Sequence, residues 1–128
     1  MPGINLRKAV VLCLAMVGGF MGLYGQNLVP NPSLEDYDNC PMGPSELQQA
    51  SPWATPDSAT PDYYNECYTS FFPMAPSMDV PDNIQGYQNA HTGVAYAGII
   101  CYDGSLGGIA GDYREYMRVQ LTSPLTAG

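Results

Sequence analysis

Basic residues are scarce in this chain. Its 128 residues hold four Lys and Arg together against twelve Asp and Glu, a net charge of −8. Arg7 and Lys8 both fall in the first ten residues, so the remainder has two bases to offer. Nucleic acids and anionic membrane surfaces are held by clustered Lys and Arg, and both partner classes are excluded on that ground. Histidine occurs once, at His91, so any Ser-His-Asp or Cys-His arrangement would have to use that one base. It stands in His91-Thr92-Gly93, at the entry to a strand-like run, where a structural hydrogen bond is the simpler role. No long segment shows an apolar stripe of helical period, which argues against a helical bundle. The Gly-rich residues 103–111 lack a Lys and the order of a phosphate-binding loop. No two cysteines have the spacing of a zinc site.

What the chain does have is 14 Gly, 12 Pro and 10 Tyr. Gly and Pro break regular elements into short pieces, and Tyr favours strands. An acidic surface of this kind suits a cation or a neutral ligand. Twelve acids would supply any pair of carboxylates that a glycosidase needs, so their number says nothing about catalysis.

Residues 1–25 have the three parts of a secretory signal. Arg7 and Lys8 are the charged region, 9–20 the apolar run, and Leu23-Tyr24-Gly25 ends in a small residue, which sets cleavage after Gly25. The apolar run is shorter than the ~18–20 residues of a spanning helix, so no membrane insertion is expected after cleavage. Leu12 precedes Cys13 where a lipid-attachment signal would have a small residue, which argues against an anchor there. The expected location is the cell surface, the outer membrane or the extracellular space. Those compartments permit disulfides. Cys40, Cys67 and Cys101 remain after cleavage, and an odd count leaves one thiol over.

Residues 26–128 form the one domain expected. Leu28 and Val29 suit a sheet edge, while Pro30 and Pro32 stop regular pairing. Glu35, Asp36 and Asp38 follow Leu34 as an acidic loop. Their oxygens could hold Ca²⁺, although the spacing is not that of an EF-hand. Ser45 and Gln48 stand at capping-box spacing, which suggests one helical turn before Pro52. Trp53 reads first as a core anchor beneath a loop. Asp62-Tyr63-Tyr64-Asn65-Glu66-Cys67-Tyr68 is dense in aromatic and polar groups. Trp53, Tyr63, Tyr64 and Tyr68 could stack on sugar faces while Asp62 and Asn65 bond hydroxyls. Packing of a core is the simpler role for each tyrosine taken alone. Residues 71–82, with three prolines, read as a long loop, and 86–93 as a turn. The clearest strand signal is 94–102. A second strand is expected at 112–121, with Met117, Val119 and Leu121 on one face and Arg118 and Gln120 on the other.

Several stretches together resemble one family. They are Asn27-Leu28-Val29-Pro30-Asn31-Pro32-Ser33-Leu34-Glu35, Pro52-Trp53, Thr60-Pro61-Asp62-Tyr63-Tyr64-Asn65 with Cys67, Gly86-Tyr87-Gln88, the run from His91 to Ile99, Arg114-Glu115-Tyr116, and Ser123-Pro124-Leu125. They are similar to the N-terminal module of large secreted or outer-membrane proteins of gliding-type Gram-negative bacteria. Such proteins carry OmpA-like peptidoglycan-binding domains or type IX sorting domains downstream. Leu34 departs from the family's Phe at an apolar position.

The resemblance implies an all-β fold, a β-sandwich of the galactose-binding-like jelly-roll type with long Pro/Gly-rich loops, continuing through further strands beyond Gly128. It implies a structural Ca²⁺ near Glu35. It also places cysteines at both Cys40 and Cys67, which flank the Pro-rich segment, so a Cys40–Cys67 disulfide is expected. Cys101 should then be buried in its strand or paired beyond Gly128. Asp57-Ser58-Ala59 matches the O-glycosylation sequon of such bacteria at Ser58. The function expected is a non-catalytic cell-envelope module that binds a glycan or surface polymer. The alternatives are a structural appendage of an OmpA-like anchored protein, whose downstream domains do the binding, and part of a glycan-active hydrolase. Fold alone does not choose among them.

Overall fold

Pro61 has no N–H to donate to a sheet, and the first strand begins immediately after it. In the computed structural model, which describes residues 26–70, 74–103 and 113–126, strand β1 (Asp62–Asn65) pairs antiparallel with β4 (Ala95–Gly98). The register sets Asp62 opposite Gly98 and Tyr64 opposite Tyr96. A second sheet is a small hairpin of β2 (Asp82–Asn83) and β3 (Gly86–Tyr87). Its turn is closed by Gln85 N–H donating to Asn83 Oδ1 at 3.0 Å, a bond that Asn makes readily. Gly86 follows at φ +126°, a backbone region that side chains avoid. A 3₁₀ turn at Leu47–Gln49 is the helical element of the described residues. Antiparallel strands in two small sheets within a mostly non-helical chain are compatible with the all-β class.

Successive side chains of a strand point to opposite faces, and β1 uses both. Tyr63 packs with Ala50 and Ala95, flanked by Leu34 and Trp53. Tyr64 packs on the other side with Met78 and Val80, flanked by Tyr68, Ala90 and Tyr96. Full burial of a side chain such as Met78 contributes roughly 1.5–3 kcal/mol, so both faces of this short sheet carry weight. The Ser51–Pro52 and Val80–Pro81 peptide bonds are cis.

Several expectations need correction. The strand expected over 94–102 ends at Gly98, because Pro61, just before β1, has no N–H to give and its carbonyl accepts from Leu47 N–H at 3.3 Å. The expected strand at 112–121 is reduced, among its described residues, to two isolated bridges, Asp103 with Tyr113 and Ala54 with Arg118. Its alternation nonetheless holds. Glu115, Met117, Val119 and Leu121 turn inward while Arg114, Tyr116, Arg118 and Gln120 are exposed. Leu28 and Val29 form no edge strand. Leu28 O instead accepts from Thr122 N–H and Oγ1 at 2.9 and 3.2 Å. The capping box does not form, since Ser45 takes φ +68° and Glu46 precedes the turn. The Glu46 carboxylate reaches back to Met42 N–H at 2.7 Å and Gly43 N–H at 3.4 Å.

The Cys40–Cys67 disulfide is present, with Cα atoms 5.6 Å apart. It ties the loop before the 3₁₀ turn to the residues just after β1. Cys101 is free and exposed. It lies past the end of β4, where the chain bends away, and not within a buried strand. Among the described residues no helix is long and apolar enough to cross a membrane. The leader expected at 1–25 lies outside the described residues.

Candidate functional site

The alternation of β1 divides the residues expected to bind a ligand. Tyr63 and Asn65 point one way and are buried. Tyr63 OH donates to Leu34 O at 2.8 Å and accepts from Asn65 Nδ2 at 2.7 Å. Asn65 Oδ1 accepts from Cys67 N–H at 2.9 Å. Trp53 sits in the Tyr63 cluster and donates its indole N–H to Asn31 O at 2.9 Å. Tyr68 packs on the Tyr64 cluster and donates to Pro76 O at 3.0 Å. These four hold loops to the sheet, and none lines the cleft described next.

Asp62 and Tyr64 point the other way, into a cleft of about 370 Å³ between the β1–β4 sheet and the β2–β3 hairpin. Tyr96, Gly98, Ile99 and Ile100 continue its wall from the β4 side. Asn83, Gln85, Tyr87 and Gln88 come from the hairpin and Glu115 from the segment beyond. The Tyr64 and Tyr96 rings lie 5.0 Å apart, tilted by 35°, a favourable aromatic separation. Asn83 Nδ2 donates to Tyr96 OH, and Tyr64 OH donates to Asp62 Oδ2 at 3.0 Å. Burial pushes the Tyr64 phenol well up from its ordinary range, and the Asp62 and Glu115 carboxylates add to that. Burial also raises Tyr96, against the bond from Asn83. Tyr87 stands at the rim, 69% exposed.

Glu115 stands in the resembling stretch Arg114-Glu115-Tyr116, but sequence reasoning gave it no role in a site. It is 4% exposed. Its Oε1 accepts from Thr60 N–H at 3.2 Å, Thr60 Oγ1 at 2.9 Å and Tyr113 OH at 2.9 Å. Its Oε2 accepts from Ile100 N–H at 2.8 Å. Asn31 was missed as well. Its φ of +43° suits Asn better than most residues. Its side chain donates to Asp36 O and Ser51 O at 2.7 and 2.8 Å and accepts from Asp36 N–H at 3.0 Å. The Pro-Asn-Pro bend is therefore a hub that locks the Trp53 loop.

Glu35 is committed to the backbone. Its carboxylate accepts from Val94 N–H at 3.2 and 3.1 Å and from Ala95 N–H at 3.2 Å. Asp36 and Asp38 are exposed. Among the described residues no group of three or more His, Cys, Asp or Glu is placed to hold a metal ion. His91 lines a separate shallow hollow with Pro32, Leu34 and Tyr96. Ser58 is exposed beside a turn in which Ala59 N–H donates to Asp57 Oδ1 at 2.9 Å.

No family model, curated protein or solved structure matches the chain.

Proposed function

We propose that this chain is an exported β-sandwich module of the galactose-binding-like jelly-roll kind, and that it binds a glycan or another envelope polymer without altering it. The leader supports export, and the family resemblance supports the sandwich. The observation that carries the binding role is the cleft. It joins an exposed ring, Tyr87, to two tyrosine walls, three side-chain amides and two carboxylates. Aromatic walls with a few placed polar groups are what a small ligand site requires. Affinity for a single site is expected to be weak, with neighbouring copies adding avidity.

The two carboxylates in one cleft also give the hydrolase reading its one specific support. Both already accept hydrogen bonds from the chain, which suits a fixed acceptor better than a proton donor. A glycan array with the exported chain, followed by product analysis of each bound glycan, tests the proposal. Retention that weakens several-fold in Tyr87→Ala, with every glycan recovered intact, is the expected result. Glycan cleavage abolished by Asp62→Asn would move the chain to the hydrolases. No retention of any glycan would favour the structural-appendage reading.

A further inference from the structure

The charge lining the cleft has one sign. Asp62 and Glu115 contribute carboxylates, and no Lys, Arg or His is among the described residues that line it. Every donor to these two groups among the described residues is neutral. Asp62 accepts from Ser45 N–H at 2.8 Å and from Tyr64 OH, and Glu115 from Thr60, Tyr113 and Ile100. The two arginines of the described residues lie elsewhere. Arg114 stands 5.8 Å from the centre of the Tyr102 ring, and Arg118 is exposed, with its backbone bridged to Ala54. Two carboxylates, one of them buried, thus share a cleft with hydrogen bonds but no counter-charge among the described residues.

They also keep acceptor capacity. Asp62 Oδ1, Asp62 Oδ2 and Glu115 Oε2 each accept one hydrogen bond from the described residues, and a carboxylate oxygen can accept two. An ammonium brings three donors and the missing positive charge. The exposed ring of Tyr87 at the rim adds attraction for a cation. A uronate or sulfate would meet like charge.

We propose that the cleft selects sugars with a free amino group, the hexosamine units of a glycan, over N-acetylated and acidic ones. This rests on the glycan-binding reading above and narrows it to a ligand class. The test is calorimetric titration of the exported chain with a β-1,4-linked glucosamine tetramer, its fully N-acetylated counterpart and a lysine tetramer. The amine sugar should bind about tenfold tighter than the acetylated one, the difference between a charged and a neutral hydrogen bond. That ratio should shrink as salt is raised. In Asp62→Asn, and in Glu115→Gln, it should fall towards one, with melting curves confirming that each variant is folded. The salt series on the unaltered chain keeps the test decisive if a variant does not fold. Equal binding of the two sugars would overturn the inference while leaving glycan binding in place. Lysine tetramer binding as tightly as the amine sugar would overturn it too, by showing attraction to charge alone. Failure of both sugars to bind would overturn this inference, while the reading on which it rests falls only if the glycan array retains nothing.

Discussion

Gly93 shows how tightly single residues are specified here. Its φ is +66°, and a Cβ built on it would overlap the Glu35 carboxylate. Glu35 can bond Val94 and Ala95 only because that side chain is missing. Gly93→Ala should therefore destabilise the chain by about 1–3 kcal/mol, read as a lower urea midpoint, and Glu35→Ala should do the same by leaving two amides without their acceptor. Tyr63 and Tyr64 offer a second test at this scale. Burial raises both phenols above the ordinary value of 10.0. A proton held longer in the folded than in the unfolded chain makes stability fall as pH rises. Their contribution is complete below pH 10 and is lost as pH climbs through the folded values. Urea midpoints should hold below that point and drop above it. Tyr64→Phe should flatten the drop, and an unchanged slope would contradict the assignment.

Elements were legible where their pattern was local. The Ala95–Gly98 part of the strand expected at 94–102, the loop before β2 and the inward row Met117, Val119, Leu121 could be read from residue order, whereas β1 read only as an aromatic and polar cluster. The Cys40–Cys67 bond was legible through the family resemblance. The candidate site was not, because it is assembled by register. Alternation along β1 sends Tyr63 into one core and Tyr64 into another, with Asp62 and Tyr64 on the face that borders the cleft, and sequence alone does not say which segments come to meet that face. Tyr87 and Glu115 reach that cleft from segments that read as a turn and a strand. Gly98 sits at the centre of this arrangement. A Cβ there would come within 2.8 Å of the Tyr64 ring, closer than real side chains approach. Gly98→Ala should lower stability by about 1–3 kcal/mol and shift the Tyr64 and Tyr96 ring resonances, whereas Gly43→Ala, which meets nothing within 4 Å, should leave them in place.

At the scale of the whole molecule, short strands and isolated bridges leave much of the order to cross-links between loops. The disulfide spans 27 residues of sequence. Closing a loop of that length contributes about 3.5 kcal/mol through the unfolded state. Reduction, or the Cys40→Ser/Cys67→Ser pair, should lower the urea midpoint accordingly while Cys101→Ser leaves it unchanged. The most direct measurement of the central claim is a residue-resolved NMR titration of the exported chain with the oligosaccharide it retains. Binding in the cleft predicts that amide or side-chain signals of Asn83, Gln85, Tyr87, Gln88 and Tyr96 move together along one saturation curve, while the Trp53 indole N–H and Tyr68 stay fixed. Shifts centred on Trp53 and Tyr68, with the hairpin unmoved, would contradict it.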